Sequence, residues 1–299
     1  MKNNIYILIA IYLFMGNSIS VKAQDLLDII EKEQDQTPQL EIATFKATRI
    51  SIGQSTEVRE KGVFQLMAMS RSWNLPNQNI QSFIADKWST RFGIDYSFTD
   101  RLTMGLGWTT LEDVLDGYLK YNIAKQYKNS KKHFASITFF QNISHTGDRT
   151  SNVLDDQFKE RLSFTSQFLI ARKFTPDFSL QISPTFIHRN SSAATDYDPN
   201  NHFALGFGGR YKIGNHVSIV SEYFYVANPL KSKNTYGAFA LGVNWDVRFL
   251  MLQFQMTNTR SMTEDRFILQ TPNNFNTDDG KFVFGFNAVF TLEAKKNKL

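Results

Sequence analysis

From residue 61 to the end, side chains alternate between apolar and small or polar, and this alternation governs what the chain can fold into. KFVFGFNAVFTLE, residues 281–293, puts Phe282, Phe284, Phe286 and Phe290 on one face and Val283, Gly285, Asn287, Val289 and Thr291 on the other. RFGIDYSF and RLTMGLGWT do the same on either side of a Thr99-Asp100 turn, which makes them a hairpin. HFALGFGGRYKI and HVSIVSEYFYV repeat the pattern around Gly214-Asn215, and YGAFALGVNWDV and RFLMLQFQM carry it toward the C-terminus.

A soluble sandwich and a membrane barrel both satisfy this alternation, and three features favour the barrel. The segments run about 10 to 13 residues, as a tilted transmembrane strand requires, whereas soluble strands average about five or six. Short turns such as Thr99-Asp100, Thr175-Pro176-Asp177 and Gly214-Asn215 alternate with long polar stretches such as 190–201 and 259–280, the asymmetry of periplasmic turns and outer loops. The faces opposite the aromatic ones carry Gly, Thr, Asn, Gln and single charges, which suit a wet interior better than a shared sandwich core.

The expected fold is therefore all-β, an antiparallel up-and-down transmembrane barrel of about 12 strands with a short N-terminal helical segment. The strands are placed at 62–72, 88–98, 101–110, 116–125, 132–144, 160–173, 178–189, 202–213, 216–226, 235–247, 248–258 and 281–293. An even number leaves both ends of the wall in the periplasm. ATFKATRIS at 43–51 would add a further strand and break that parity, so it is assigned to a lumen-facing or capping segment. Alternation is poorest in 116–125 and 132–144.

Ahead of the barrel, Lys2, the apolar run Ile5 to Met15 and Val21-Lys22-Ala23 read as a cleaved export signal over 1–23. Residues 24–60 form an N-terminal periplasmic or lumen-capping segment. In it Leu26, Leu27, Ile29 and Ile30 share one side of a short helix that Pro38 ends. The barrel spans 61–293 and a tail 294–299 follows. Losing Lys2 and Lys22 lowers the net charge from +5 to +3 (5 − 2), too little to mark a nucleic-acid partner. The chain has 27 Phe and 11 Tyr but no second long apolar run, a composition of strands rather than spanning helices. With Cys at 0, disulfides, zinc-thiolate sites and lipid-bearing cysteines are excluded.

FKATRISIGQSTE at 45–57, GVFQLMAMSRS at 62–72 and RFGIDYSFTDRLTMGLGWTTLEDVLDGYLKYNIAKQ at 91–126 together resemble a family of Bacteroidota outer-membrane β-barrels known only as a domain of unknown function. The hairpin Tyr96 to Gly107, followed by Asp116-Gly117-Tyr118-Leu119-Lys120-Tyr121, is its most distinctive part. The resemblance implies a barrel at the outer membrane and brings no substrate or catalytic residues with it. The chain departs from barrels in general at its end, where Ala294 to Leu299 follows the last aromatic, Phe290.

Chemistry-bearing residues are sparse. His133, His145, His188, His202 and His216 form no metal-binding spacing, so no metal, cofactor or catalytic site is assigned and the protein is read as a non-enzyme. His188 and His202 flank one outer loop with Asp196 and Asp198, and loop-edge histidines are the plain reading. Ser183 and His188 fall on opposite faces of one strand, which argues against a hydrolase pair. GFGGRYKIG lacks the strand-to-helix context of a phosphate loop, and its glycines are read as relieving crowding in the wall.

Parity places Arg71, Arg91, Asp95, Lys120, Arg210, Lys212, Glu222 and Asp246 in the lumen, and Phe282, Phe284, Phe286 and Phe290 toward lipid. Asn287, facing a wet interior, is expected to tolerate an arginine. The functional expectation is a narrow channel for small polar solutes with mild anion preference. The alternative is a structural or docking component of the envelope, with 259–280 or the N-terminal segment as the docking element. A barrel-rim hydrolase is a distant third. Expected partners are outer-membrane lipid, the barrel-assembly machinery and an envelope protein.

Overall fold

The computed structural model describes residues 39–42, 44–75, 85–147, 158–190, 198–275 and 282–293. The export signal, the helical stretch at 26–30 and the tail 294–299 lie outside these residues.

Twelve antiparallel strands form a closed barrel: β1 Val63–Trp73, β2 Lys87–Ser97, β3 Leu102–Thr109, β4 Val114–Ala124, β5 Ser136–Thr146 and β6 Leu162–Lys173 make the first half. The second half is β7 Phe178–Arg189, β8 Asn201–Lys212, β9 Val217–Val226, β10 Ala238–Val247, β11 Leu250–Thr257 and β12 Val283–Glu293. Strands adjacent in sequence are adjacent in the wall, and β12 returns to pair with β1 from Val283↔Trp73 to Glu293↔Val63. No strand of the wall is left with a free edge, the condition for a sheet in hydrocarbon. Among the described residues no helix is long and apolar enough to cross a membrane.

Both ends of the wall and the turns after β2, β6, β8 and β10 lie at one end of the cylinder, beside the longer β4–β5 connection, while the short β3–β4 connection lies at the opposite end. At the β2–β3 turn Thr99 Oγ1 accepts the Arg101 and Leu102 N–H groups at 3.2 and 3.0 Å, and Thr175 does the same for Asp177 and Phe178 at 3.4 and 3.1 Å. The poor alternation in β4 and β5 has two causes. A register shift between Asn122 and Ala124 re-aims the end of β4, and Tyr118 and Phe140 turn their rings inward onto Leu169.

Outward faces are apolar almost throughout: Phe92, Ile94, Leu106, Trp108, Phe207, Tyr223, Trp245, Phe254 and Phe284 are exposed. On β12, Phe284, Phe286 and Phe290 point out, while Val283, Asn287 and Val289 are buried inside. Phe282 lies just ahead of the strand, half-buried, its ring 5.4 Å from that of Phe275. A large apolar outer surface of this kind is stable only in lipid.

Asn287 departs from the expected freedom. Its amide accepts from Arg71 at 3.0 Å and donates to Ser51 O and Gln253 Oε1 at 3.1 and 2.9 Å, so an arginine there has no space to enter. Phe286→Arg, on the lipid face, is expected to cost about 2 to 4 kcal/mol in reversible unfolding from lipid vesicles, as a cation near the bilayer midplane does. Unboiled and boiled wild-type samples should migrate differently on a denaturing gel, and equal migration would contradict the barrel.

Candidate functional site

The interior is occupied. Residues 44–56 enter from the short-turn end, run up the lumen and double back, with Ile50 N–H donating to Gly53 O and Ser55 N–H to Thr48 O, each at 3.0 Å. An isolated bridge joins Arg49 and Gln54. This stretch is therefore a hairpin-like plug inside the barrel and takes no place in the wall. Phe45, Ile50, Ile52, Ser51, Ser55 and Thr56 are all at most 2% exposed.

Backbone polar groups in such a position need partners, and the wall supplies them. Glu222 Oε2 accepts three successive plug N–H groups, from Ser51, Ile52 and Gly53, at 2.9, 2.6 and 3.1 Å. Gly53 is required by this approach, since a Cβ there would sit 2.7 Å from Glu222 Oε1 and 2.8 Å from the Phe224 ring. The plug carbonyls are served in turn. Gln253 donates to Arg49 O and Ile50 O at 3.2 and 3.0 Å, Asn244 to Ile50 O at 2.9 Å, and Gln181 to Gln54 O at 2.7 Å. Thr138 donates to Thr56 O at 2.8 Å. Ser51 also meets the Gln255 amide through its side chain. Gly208, one of the glycines in GFGGRYKIG, leaves the space that Ile50 fills, 2.5 Å from where its Cβ would be.

Of the charged residues placed inside from sequence, several hold the plug instead of lining an open passage. Lys120 Nζ donates to Thr48 O at 2.9 Å, Arg210 to Thr44 O at 3.3 Å, and Asp246 pairs with Lys46 at 2.7 Å. Arg71 donates to Asn287 and to the Ser70 carbonyl, at 3.0 and 2.8 Å. Arg91 forms a two-point pair with Asp116 at 3.0 and 2.5 Å, both side chains 1% exposed. Asp95 is buried and hydrogen-bonded to Tyr118. Lys212 is half-buried at the short-turn rim.

Sequence reading missed Asp116, Asn244, Gln253 and the plug's own Arg49, because a polar residue on an inward face looks the same whether it meets water or backbone. Asp116 joins Asp95, Glu222 and Asp246 on the inward face, while Lys87, Lys173 and Arg189 share that parity with Arg71, Arg91, Lys120, Arg210 and Lys212. Cations outnumber carboxylates among these wall residues.

The long loop after β11 also turns inward. Residues 257–259 and 262–269 are buried, and a short helix α1, Glu264–Leu269, packs Phe267 against Phe224 with ring centroids 5.1 Å apart. This part of 259–280 is thus not an exposed docking loop. Burial pushes the Asp265 carboxyl above its usual range, against hydrogen bonds from Ser144 and Thr263. Glu264 joins the two fillings: it pairs with Arg49 at 2.9 Å and accepts from Gln54 Nε2 at 3.0 Å, with Arg49 and Glu264 side chains 2% and 1% exposed. Arg266 reaches across to Glu112 and to Thr146.

Among the described residues the histidines singled out from sequence do not gather into a reactive constellation. His188 bonds Asn201 at 2.7 Å and buried His202 bonds the Asn228 carbonyl at 2.7 Å, so the two do not converge. Asp196 lies outside the described residues, and Ser183 and His188 point to opposite sides of β7. Among the described residues no three His, Cys, Asp or Glu side chains are placed to hold a metal.

No curated protein matches the chain in sequence. Among solved structures it is similar to the NanC porin, with 8% identity, a TM-score of 0.47, and 77% of this chain and 100% of that chain covered. It is similar to the KdgM porin at 9% identity and a TM-score of 0.48, covering 77% and 99%. An outer membrane channel from Pseudomonas putida F1 matches at 11% identity and a TM-score of 0.43, covering 79% and 97%. The family model described as a membrane bound beta barrel domain, DUF5777, matches residues 45–292, and the chain belongs to that family.

Proposed function

We propose that this protein is an outer-membrane channel for small polar solutes, closed by its own N-terminal plug and opened when the plug is displaced. The tightest turns gather at one end and most of the long connections at the other, the arrangement of outer-membrane barrels. The observation that carries the reading is the chemistry of the seam between plug and wall. Gln181, Asn244, Gln253, Asn287, Thr138 and Glu222 hold the plug by hydrogen bonds that water can replace.

A wall that only had to be filled would do better with apolar side chains, since buried polar groups bring little net stability. Asn142 and Thr165 sharpen the point: both are fully buried and keep side-chain atoms without a protein partner. Each such atom costs about 1 to 3 kcal/mol when dry and nothing when hydrated. The wall is matched to water at least as well as to its plug. With cations in excess on the inward face, an open lumen is expected to prefer anions mildly.

A structural barrel without conduction is the second reading, and the many plug bonds contributed by separate strands favour it. Two variants separate the readings. Glu222→Ala removes the acceptor of three N–H groups, bonds of about 1.5 to 3 kcal/mol each when the acceptor is charged. Amide exchange at residues 51–53 should then quicken by at least about tenfold, and opening events in planar bilayers should become more frequent. Ser51→Cys with Gln255→Cys, in a chain otherwise free of cysteine, joins plug to wall. The oxidised form should be silent in planar bilayers and the reduced form should show discrete conductance. Silence of wild type, reduced double variant and Glu222→Ala alike would establish the structural reading.

A further inference from the structure

Across the outward faces of the twelve strands, Arg172 is the single charged side chain among the described residues. It ends the lipid-facing row Phe164, Ser166, Phe168 and Ile170 of β6, at the short-turn end of the barrel. Its guanidinium carbon sits 5.1 Å from the centroid of the Phe174 ring. An arginine at this height lies where acyl chains give way to headgroups, with its stem in lipid and its fork at the interface.

Beside it the β4–β5 connection and the β6–β7 turn enclose a groove of about 700 Å³. Lys128, Lys131, Arg172 and Lys173 line its polar side, and the exposed rings of Phe134 and Phe174 flank it. One carboxylate, Glu41, also reaches the groove, but it is paired with Lys173 at 2.8 Å. Lys173 donates further to Ile42 O at 3.1 Å. Among the described residues, Lys128, Lys131 and Arg172 have no acidic partner inside the groove.

We propose that this groove binds the phosphate headgroup of an anionic phospholipid in the leaflet at the short-turn end. Arg172 takes the phosphate oxygens through its planar fork, Lys128 and Lys131 neutralise the remaining charge, and the acyl chains lie down the Phe168 and Ile170 row. The volume suits a headgroup with its glycerol, and the aromatic rings fix the depth at which it sits.

The site is tested on the full chain in nanodiscs of phosphatidylethanolamine containing a minor fraction of phosphatidylglycerol, counting co-purified lipid by mass spectrometry. Wild type should retain phosphatidylglycerol over phosphatidylethanolamine by at least about tenfold, the scale of one charged contact pair. Arg172→Gln with Lys131→Gln should abolish the preference while leaving heat-modifiable gel migration unchanged. Arg172→Lys, which keeps the charge but loses the fork, should retain part of it. Lys132→Gln, outside the groove, should retain all of it. Equal retention of the two lipids by wild type, or an unchanged preference in the double variant, would overturn the proposal. Displacement of the lipid by millimolar inorganic phosphate alone would overturn it too, assigning the groove to free phosphate.

Discussion

The ladder between β12 and β1 is the contact on which the rest depends. In hydrocarbon an unpaired strand edge leaves a row of N–H and C=O groups without partners, each costing several kcal/mol, so the wall exists only if its ends meet. They meet in register from Val283↔Trp73 to Glu293↔Val63, and that register decides which residues face in. Asn287 beside Met69 goes to the lumen and Phe286 beside Ser70 goes to lipid. A slip of one residue would exchange the two faces along the whole strand.

Closure at twelve strands then creates a second demand. The interior is wider than wall side chains alone can fill, as they do at about eight strands. Here it takes in two further pieces of chain, the plug at 44–56 and the inward loop with α1. Both are held by polar contacts, and both converge on Glu264, which meets Arg49 and Gln54 of the plug. The fillings from opposite ends of the barrel are thus one connected body. Moving either piece alone would break this buried pair and strand a charge on the other.

The wall was almost wholly legible in the sequence, because alternation over long segments has few competing explanations. All twelve strands lie within a few residues of their expected places, including β4 and β5, whose inward Tyr118 and Phe140 blurred the pattern. What the lumen contains was not legible. Arg71, Lys120, Arg210 and Glu222 point inward by parity, but parity is silent on whether an inward residue meets water, another wall residue or the plug backbone. The six residues of α1 are too few to display a helical period, and the inward turn of 257–269 depends on Phe224, a partner distant in sequence.

The central claim is that the chain's own N-terminal segment fills the lumen of a membrane barrel. It is tested most directly by single cysteines placed in a protein that has none: Ser51→Cys in the plug and, as a reference, Lys132→Cys on an exposed turn. With the protein reconstituted in lipid vesicles and a membrane-impermeant maleimide applied to both sides, Lys132→Cys should label at once. Ser51→Cys should label far more slowly, through rare displacement of the plug, and fully only when the barrel is unfolded. Equal labelling of the two in the folded barrel would contradict the account.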